Sequence, residues 1–281
     1  MEVYLISSGV GCINFLITNL IVYLMNKKSP ELHQNHNFNV VESQDKISTK
    51  IKSRIVSKFL SPACKFWLKS QLEQVEKLKV NIEGGDRQIL TGKIPLVSVV
   101  ASHVIFQGLH LTEVNLSATD IRINIGQVIK GKPLKILKSF PIFCHIKLLE
   151  SDFNASLKSH LLVEAIMEFL TPLLVPDFIE VLETPITLHD QKAEISRGHL
   201  NFFANLLSQF NAKIPLSLHT DLKLASSCEL LLENFNLLVS QKSSNSFSDN
   251  IKVDLGSDVE LQELKLDSGQ LVCVGKLIVN P

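Results

Sequence analysis

Lys46–Ser70, KISTKIKSRIVSKFLSPACKFWLKS, carries Lys46, Lys50, Lys52, Arg54, Lys58, Lys65 and Lys69 and no acid, in a chain of 281 residues whose 28 Lys and Arg balance 28 Asp and Glu. At about 100° per residue, Lys50, Arg54, Lys58, Lys65 and Lys69 fall in one sector. Ile51, Ile55, Val56, Phe59, Leu60, Ala63, Phe66 and Trp67 fill the opposite half. The spacing predicts a basic amphipathic helix. Pro62 interrupts it without changing its phase, so the stretch is either one kinked helix or a second helix capped by Ser61 with Pro62 in its first turn. The apolar half needs a cover, either a β-sheet of the same chain or a lipid surface. A core helix with a solvated outer face is the plainer alternative, but the stretch itself holds no acid to pair with these lysines.

On the N-terminal side, Val3–Met25 contains no charge. As a helix it would be about 34 Å long, enough to cross a bilayer core. Residues 1–28 are therefore expected to form a transmembrane-type helix and to make the protein a membrane-associated, single-pass chain. A secretory signal would open with positive charge, and here the first charge is Glu2. Lys27 and Lys28 would leave the remainder on the cytoplasmic side, a weak indication that leaves the side open. Residues 29–45 are polar and aperiodic, as in a flexible linker. His33 and His36 have no Cys or carboxylate cluster beside them, so a solvated linker explains them better than a metal.

Beyond Ser70 the period becomes two. Leu78, Val80 and Ile82 alternate, Gly84, Gly85 and Asp86 suggest a tight turn, and residues 92–106 are apolar on both faces, as for a strand covered on both sides or facing an apolar ligand. Leu109 and Leu111 then alternate out of phase with Val114 and Leu116. The same slip recurs at Leu230, Leu232, Phe235, Leu237 and at Val259, Leu261, Leu264, Leu266. A bulge or sharp twist is expected at Thr112–Glu113, Glu233–Asn234 and Gln262–Glu263, and bulges curve sheets. Ser151 or Asp152 is expected to cap a helix carrying Leu157, Leu161, Leu162, Ile166, Phe169, Leu170 and Leu173, ended or bent by Pro172 and Pro176. A second strand-rich half runs over 186–279. This order reads as an α+β domain with an antiparallel sheet.

Composition excludes several functions. One Trp, two Tyr and zero net charge suit neither base stacking nor phosphate binding, so no nucleic-acid partner is expected. Five widely spaced cysteines, Cys12, Cys64, Cys144, Cys228 and Cys273, read as small buried apolar residues. No nucleophile elbow, phosphate loop, metalloprotease or dinucleotide motif occurs. His145 and Glu150 lie an odd number of residues apart, which puts them on opposite faces of a strand. No catalytic, cofactor or metal residues are expected.

Ile82–Gly92 (IEGGDRQILTG), Gly108–Leu137 (GLHLTEVNLSATDIRINIGQVIKGKPLKIL) and Leu148–Leu162 (LLESDFNASLKSHLL) resemble the cyanobacterial branch of the LmeA-like phospholipid-binding family, long catalogued as a domain of unknown function. The resemblance runs from about Ile55 to the C-terminus and leaves out Val3–Met25. It implies a fold similar to tubular lipid-binding proteins, with a long amphipathic helix laid in a strongly curved antiparallel β-sheet, and phospholipid binding in an envelope-related role. Residues 46–281 would form the lipid-binding domain. The expected function is non-catalytic phospholipid binding at the membrane or envelope. Phe59, Phe66 and Trp67 are candidates for an acyl-chain groove, and Lys50, Arg54, Lys58, Lys65 and Lys69 for contact with anionic head groups. The alternative is a membrane-anchored interaction or assembly protein with a closed core and no lipid ligand. A lipid hydrolase would need a Ser or Cys beside a His.

Overall fold

A computed structural model describes residues 3–4, 61–128, 135–174, 187–207, 213–239 and 250–281. Within them the period-two stretches become the strands β1 (Val3–Tyr4), β2 (Gln74–Glu83), β3 (Lys93–Phe106), β4 (Leu109–Arg122), β5 (Phe140–Leu149), β6 (Thr187–Ile195), β7 (His199–Leu207), β8 (Lys213–Ser226), β9 (Glu229–Val239), β10 (Ile251–Asp254), β11 (Val259–Asp267) and β12 (Gln270–Val279). The helices are α1 (Ser61–Gln71), α2 (Asp86–Leu90), α3 (Ile125–Val128), α4 (Glu150–Ser156) and α5 (His160–Leu170). A first sheet runs in the order β11-β12-β5-β4-β3-β2 and a second in the order β1-β10-β9-β8-β7-β6. All pairings are antiparallel except β1 with β10.

Register shows what period two accomplishes. In the first sheet, one face carries the rows Leu78, Ala101, Val114, Ile146, Cys273, Leu264, then Val80, Val99, Leu116, Cys144, Gly275, Leu261, then Ile82, Val97, Ala118, Ile142, Leu277, Val259. None of these side chains is charged. The opposite face carries Lys77, Ser102, Glu113, Lys147, Val272 and Lys265 in one row and Asn81, Ser98, Ser117, Phe143, Lys276 and Glu260 in another. One face is therefore built to leave water and the other to meet it. In the second sheet the corresponding inner rows are Ala193, Phe202, Leu218, Leu237 and Leu222, Leu232, Ile251.

The strands coil where the alternation slips. Between His219 and Asp221 of β8 the pairing with β9 gains a residue at Asn234–Phe235, and between Leu261 and Glu263 β11 gains Gln262 over β12. These are bulges at two of the three expected sites. Asn234 has φ 51, and its Nδ2 donates to Asp221 Oδ2 at 2.7 Å. At Thr112–Glu113 the register of β4 with β3 is continuous, and the twist comes from the other strand: His103, across from Thr112, has φ 46. Asp120 in β4 and Asp190 in β6 also have positive φ, with a further shift at Asp190–Gln191. His, Asn and Asp are the side chains that tolerate this conformation best.

Helix α4 ties the two sheets together, each even-numbered side chain from Glu150 to Ser156 making a specific bond. Toward the first sheet, Thr112 Oγ1 donates to Asp152 Oδ2, and Ser156 Oγ accepts from His110 N at 2.8 Å. Toward the second, Asn154 pairs with both Ala193 N and Ala193 O at 2.8 Å, while Glu150 Oε2 accepts from Ile195 N at 2.7 Å. β6 is an edge strand, and α4 thus satisfies backbone groups that would otherwise invite another chain. The sheets also meet where Leu261 N of β11 donates to Ser227 O in the β8–β9 turn (2.6 Å) and where Gly269 N, in the β11–β12 turn, donates to Ile195 O (2.9 Å).

Several expectations change. The described residues are mostly antiparallel sheet with few helices, a composition closer to all-β than to the expected α+β; the longest helices, α1 and α5, have eleven residues each. Among the described residues no helix is long and apolar enough to cross a membrane. Val3 and Tyr4 pair with Ile251 and Lys252 rather than opening a helix, and residues 5–60 lie outside the description. Gly84 and Gly85 lead into α2 instead of a tight turn, because Gln88 Oε1 accepts from Gly85 N at 3.2 Å and starts a helical turn. The helix expected after Ser151 is two helices: α4 stops at Ser156, and Ser159 caps α5 by accepting from Leu162 N.

Candidate functional site

The inner faces of the two sheets are equally apolar but unequally covered. Over the second sheet, α4 and α5 and the Leu157 between them supply Phe153, Leu157, Leu162, Ile166, Met167, Phe169 and Leu170, and the strand residues Phe202, Ala204, Leu206, Leu216, Leu218 and Leu237 are buried. Phe169 meets Phe235 edge to face at 6.1 Å. The clusters on the first sheet take helix residues at their ends, Leu68 of α1 beside Phe106 and Leu111, and Ile89 of α2 with Ile125 of α3 beside Ile94, Ile121 and Ile123, and they take Leu222, Leu224, Leu230 and Val253 from β8, β9 and β10, with Leu255 beyond β10. Between those ends Leu78, Val80, Val97, Val99, Leu116, Leu264 and Cys273 are only half-buried, although Ala101, Val114, Ala118, Cys144 and Ile146 in the same rows are buried. Six strands at about 4.8 Å spacing make this surface about 24 Å wide.

The face offers no reactive group. Burial pushes the Cys273 thiol up to about 12, with the nearby Cys144 adding to it, and burial also raises Cys144. Both thiols stay protonated at neutral pH, so they behave as apolar lining rather than as nucleophiles. Histidine rings with polar partners among the described residues meet carboxylates or an amide: His103 with Glu76, His160 with Glu164, His199 with Asp221, and His219 with Asn201. His145 is exposed, and Glu150 is held by Ile195 N, so that pair is structural. Among the described residues no three His, Cys, Asp or Glu side chains gather as for a metal ion.

The residues singled out from the sequence are distributed unevenly. Lys50, Arg54, Lys58 and Phe59 lie outside the described residues, and of Trp67 only the backbone, within α1, is described. Lys65 and Lys69 are exposed, and Phe66 is 74% exposed. On α1 it is Leu68, followed by Leu72 just past the helix, that packs toward the sheet. Sequence reading missed both because Leu68 lies beside the basic sector and Leu72 lies beyond the stretch read as helix. The inner rows of β4, β5 and β12 were visible as alternation, but not as one surface.

No curated protein and no solved structure matches the chain. The family model described as LmeA-like phospholipid-binding matches residues 51–276, from before α1 into β12. By the extent of that match the chain belongs to the LmeA-like phospholipid-binding family.

Proposed function

We propose that the protein is a non-catalytic phospholipid-binding module that takes acyl chains onto the inner face of the first sheet. The observation that carries this is the contrast between Leu116, half-buried with Val80, Val97 and Val99 on an uncharged face, and Leu218, buried with Phe202 and Leu237 in the cluster that takes in α5. Each methylene moved from water onto such a face contributes about 0.8 kcal/mol. The basic sector of the 46–70 stretch serves anionic head groups, with Lys65 and Lys69 exposed, and Phe59, Phe66 and Trp67 serve as acyl-groove residues in this reading. Residues 46–281 act as the lipid-binding domain, joined through the linker in 29–45 to the apolar N-terminal segment, and the module works at the cell membrane or envelope.

Mass spectrometry of lipids that co-purify with the full chain tests the reading. Stoichiometric phospholipid is expected, and Leu116→Asp should remove it while the fold persists. A full chain that emerges free of phospholipid under mild extraction overturns the proposal. Replacing Lys50, Arg54, Lys58, Lys65 and Lys69 by Gln tests the basic sector separately, since the apolar stripe and helix propensity change little. The salt dependence of binding to anionic vesicles should weaken, because those contacts are screened within about one Debye length.

A further inference from the structure

Among the described residues five large apolar side chains are exposed, and two of them, Leu90 (49%) and Leu137 (60%), stand at the same end of the first sheet. Leu90 ends α2. Leu137 precedes β5, and its N–H donates to Arg122 O at 2.8 Å; Arg122 in turn lies opposite Lys93 at the start of β3. Ile123 N donates to Gly92 O at 2.9 Å, which closes the β2–β3 and β4–β5 connections against each other. Scattered exposed leucines need no explanation; two brought together by the backbone, with cations around them, do.

Arg87, Lys93, Lys135 and Lys138 are all exposed at this end. Lys138 and Arg122 share Asp120 at 2.9 and 3.3 Å, which neutralises that acid. Arg87, Lys93 and Lys135 have no ion-pair partner among the described residues. The other acids here are Glu83, which accepts from Asn81 Nδ2, and Asp86 in the first turn of α2. From Ile121 to Leu149 the sequence holds no Asp or Glu. Apolar side chains ringed by cations match an anionic bilayer, where leucine enters the interface and lysine and arginine meet phosphate.

We propose that the end of the first sheet formed by Leu90, Leu137, Arg87, Lys93 and Lys135 is a docking tip for anionic membranes, distinct from the basic sector around α1. The two lie at opposite ends of β3, about 40 Å apart at 3.3 Å per residue. The inner face, bounded by Ile82, Ile94 and Ile121 beside the tip, runs from it toward Leu68 and Phe106. Docking at the tip would therefore set the mouth of the acyl track on the bilayer. That consequence rests on the lipid-binding reading, whereas the docking itself does not.

The test uses the full chain with Trp67→Phe as background and Leu90→Trp, Leu137→Trp or, as a control on the exposed β6–β7 turn, Arg197→Trp. Each is mixed with vesicles of brominated phosphatidylcholine, with or without brominated phosphatidylglycerol. Because quenching reports one position, anchorage elsewhere in the chain does not produce it. Blue-shifted, quenched emission is expected at 90 and 137 on phosphatidylglycerol vesicles alone, with position 197 unchanged. Adding Arg87→Gln, Lys93→Gln and Lys135→Gln should raise the lipid needed for half-maximal quenching about 100-fold. Solvent-like emission at both positions on anionic vesicles, equal quenching without phosphatidylglycerol, or equal quenching at 197 overturns the tip, the first two results pointing to a protein surface or an uncharged bilayer instead. Co-purifying phospholipid in Leu90→Ser with Leu137→Ser should match the parent. If the parent carries none while quenching persists, the acyl-track reading fails and the tip stands.

Discussion

Leu116→Ala and Leu218→Ala remove the same three carbons from equivalent inward positions of two sheets, and the proposed function requires that they behave differently. Leu218 is 7% exposed, between Phe202 and Leu237 and beneath α5. Its truncation leaves a cavity in a close-packed interior and should cost about 2–5 kcal/mol. Leu116 is half-buried between Val99 and Cys144, in a cluster that includes Leu222 and Leu224 of β8 but no residue of α4 or α5, so it is still partly open to solvent. In lipid-free protein its truncation should cost about 1 kcal/mol, a fraction of the transfer energy of a fully buried leucine. The missing contact should reappear in ligand binding: losing roughly two methylenes' worth of apolar contact weakens phospholipid affinity by about 1–2 kcal/mol, or about five- to thirty-fold. Urea unfolding of delipidated protein at constant m, with quantification of bound phospholipid, measures both quantities. Equal stability losses for the two variants, with lipid content unchanged in Leu116→Ala, would falsify the open-face reading and favour a closed core serving protein assembly.

Three further predictions follow from the scaffold. Asn154→Ala leaves Ala193 N and O without their 2.8 Å partners and should cost about 2–3 kcal/mol, with faster amide exchange along β6; exchange unchanged at Ala193 would show that α4 does not protect the edge. Gly92 has φ +82, and a Cβ there would sit 2.1 Å from Ile123 O, so Gly92→Ala should destabilise by about 2 kcal/mol or more, read from the urea midpoint, and loosen the proposed docking tip. The Cys273 thiol rises from 9.0 to about 12 on folding, so between those values the folded state holds a proton that the unfolded state has released. Its contribution is complete below about pH 9 and is lost as pH rises toward 12. Unfolding curves across that window should decline less steeply for Cys273→Ala than for the parent, and parallel declines would place the thiol in water.

Side-chain period reads faces well and partners poorly, and the chain illustrates why. Alternation in Leu78, Val80, Ile82 and in Ile142, Cys144, Ile146 follows from geometry internal to one strand. That β12 lies beside β5, with Cys273 opposite Ile146, joins residues more than a hundred positions apart, and nothing in either stretch encodes the choice. The C-terminal strands therefore read as a continuation of the second half, although β11 and β12 complete the first sheet. The α4 segment failed differently. Its even-numbered polar residues, Glu150, Asp152, Asn154 and Ser156, look like ordinary helix-start chemistry, yet each reaches a backbone or side-chain group in another element of the two sheets.

The bulges were the most legible tertiary feature, because a phase slip is a local record of a global constraint. A strand that presents apolar side chains on one face before and after a slip must insert a residue or turn one backbone into positive φ. At Gln262 and Asn234 the inserted residue lies in the slipping strand itself. At Thr112 the slip is matched instead by His103 on the facing strand, so sequence located the twist but not the chain that executes it. Gly275 is the complementary clue. It lies on the inner face opposite Leu261, where a Cβ would come within 2.8 Å of Glu260 O, so β12 gives up a side chain at the point where the bulge in β11 presses closest. Without that glycine the bulge at Gln262 would push β11 outward from β12 at the edge of the first sheet.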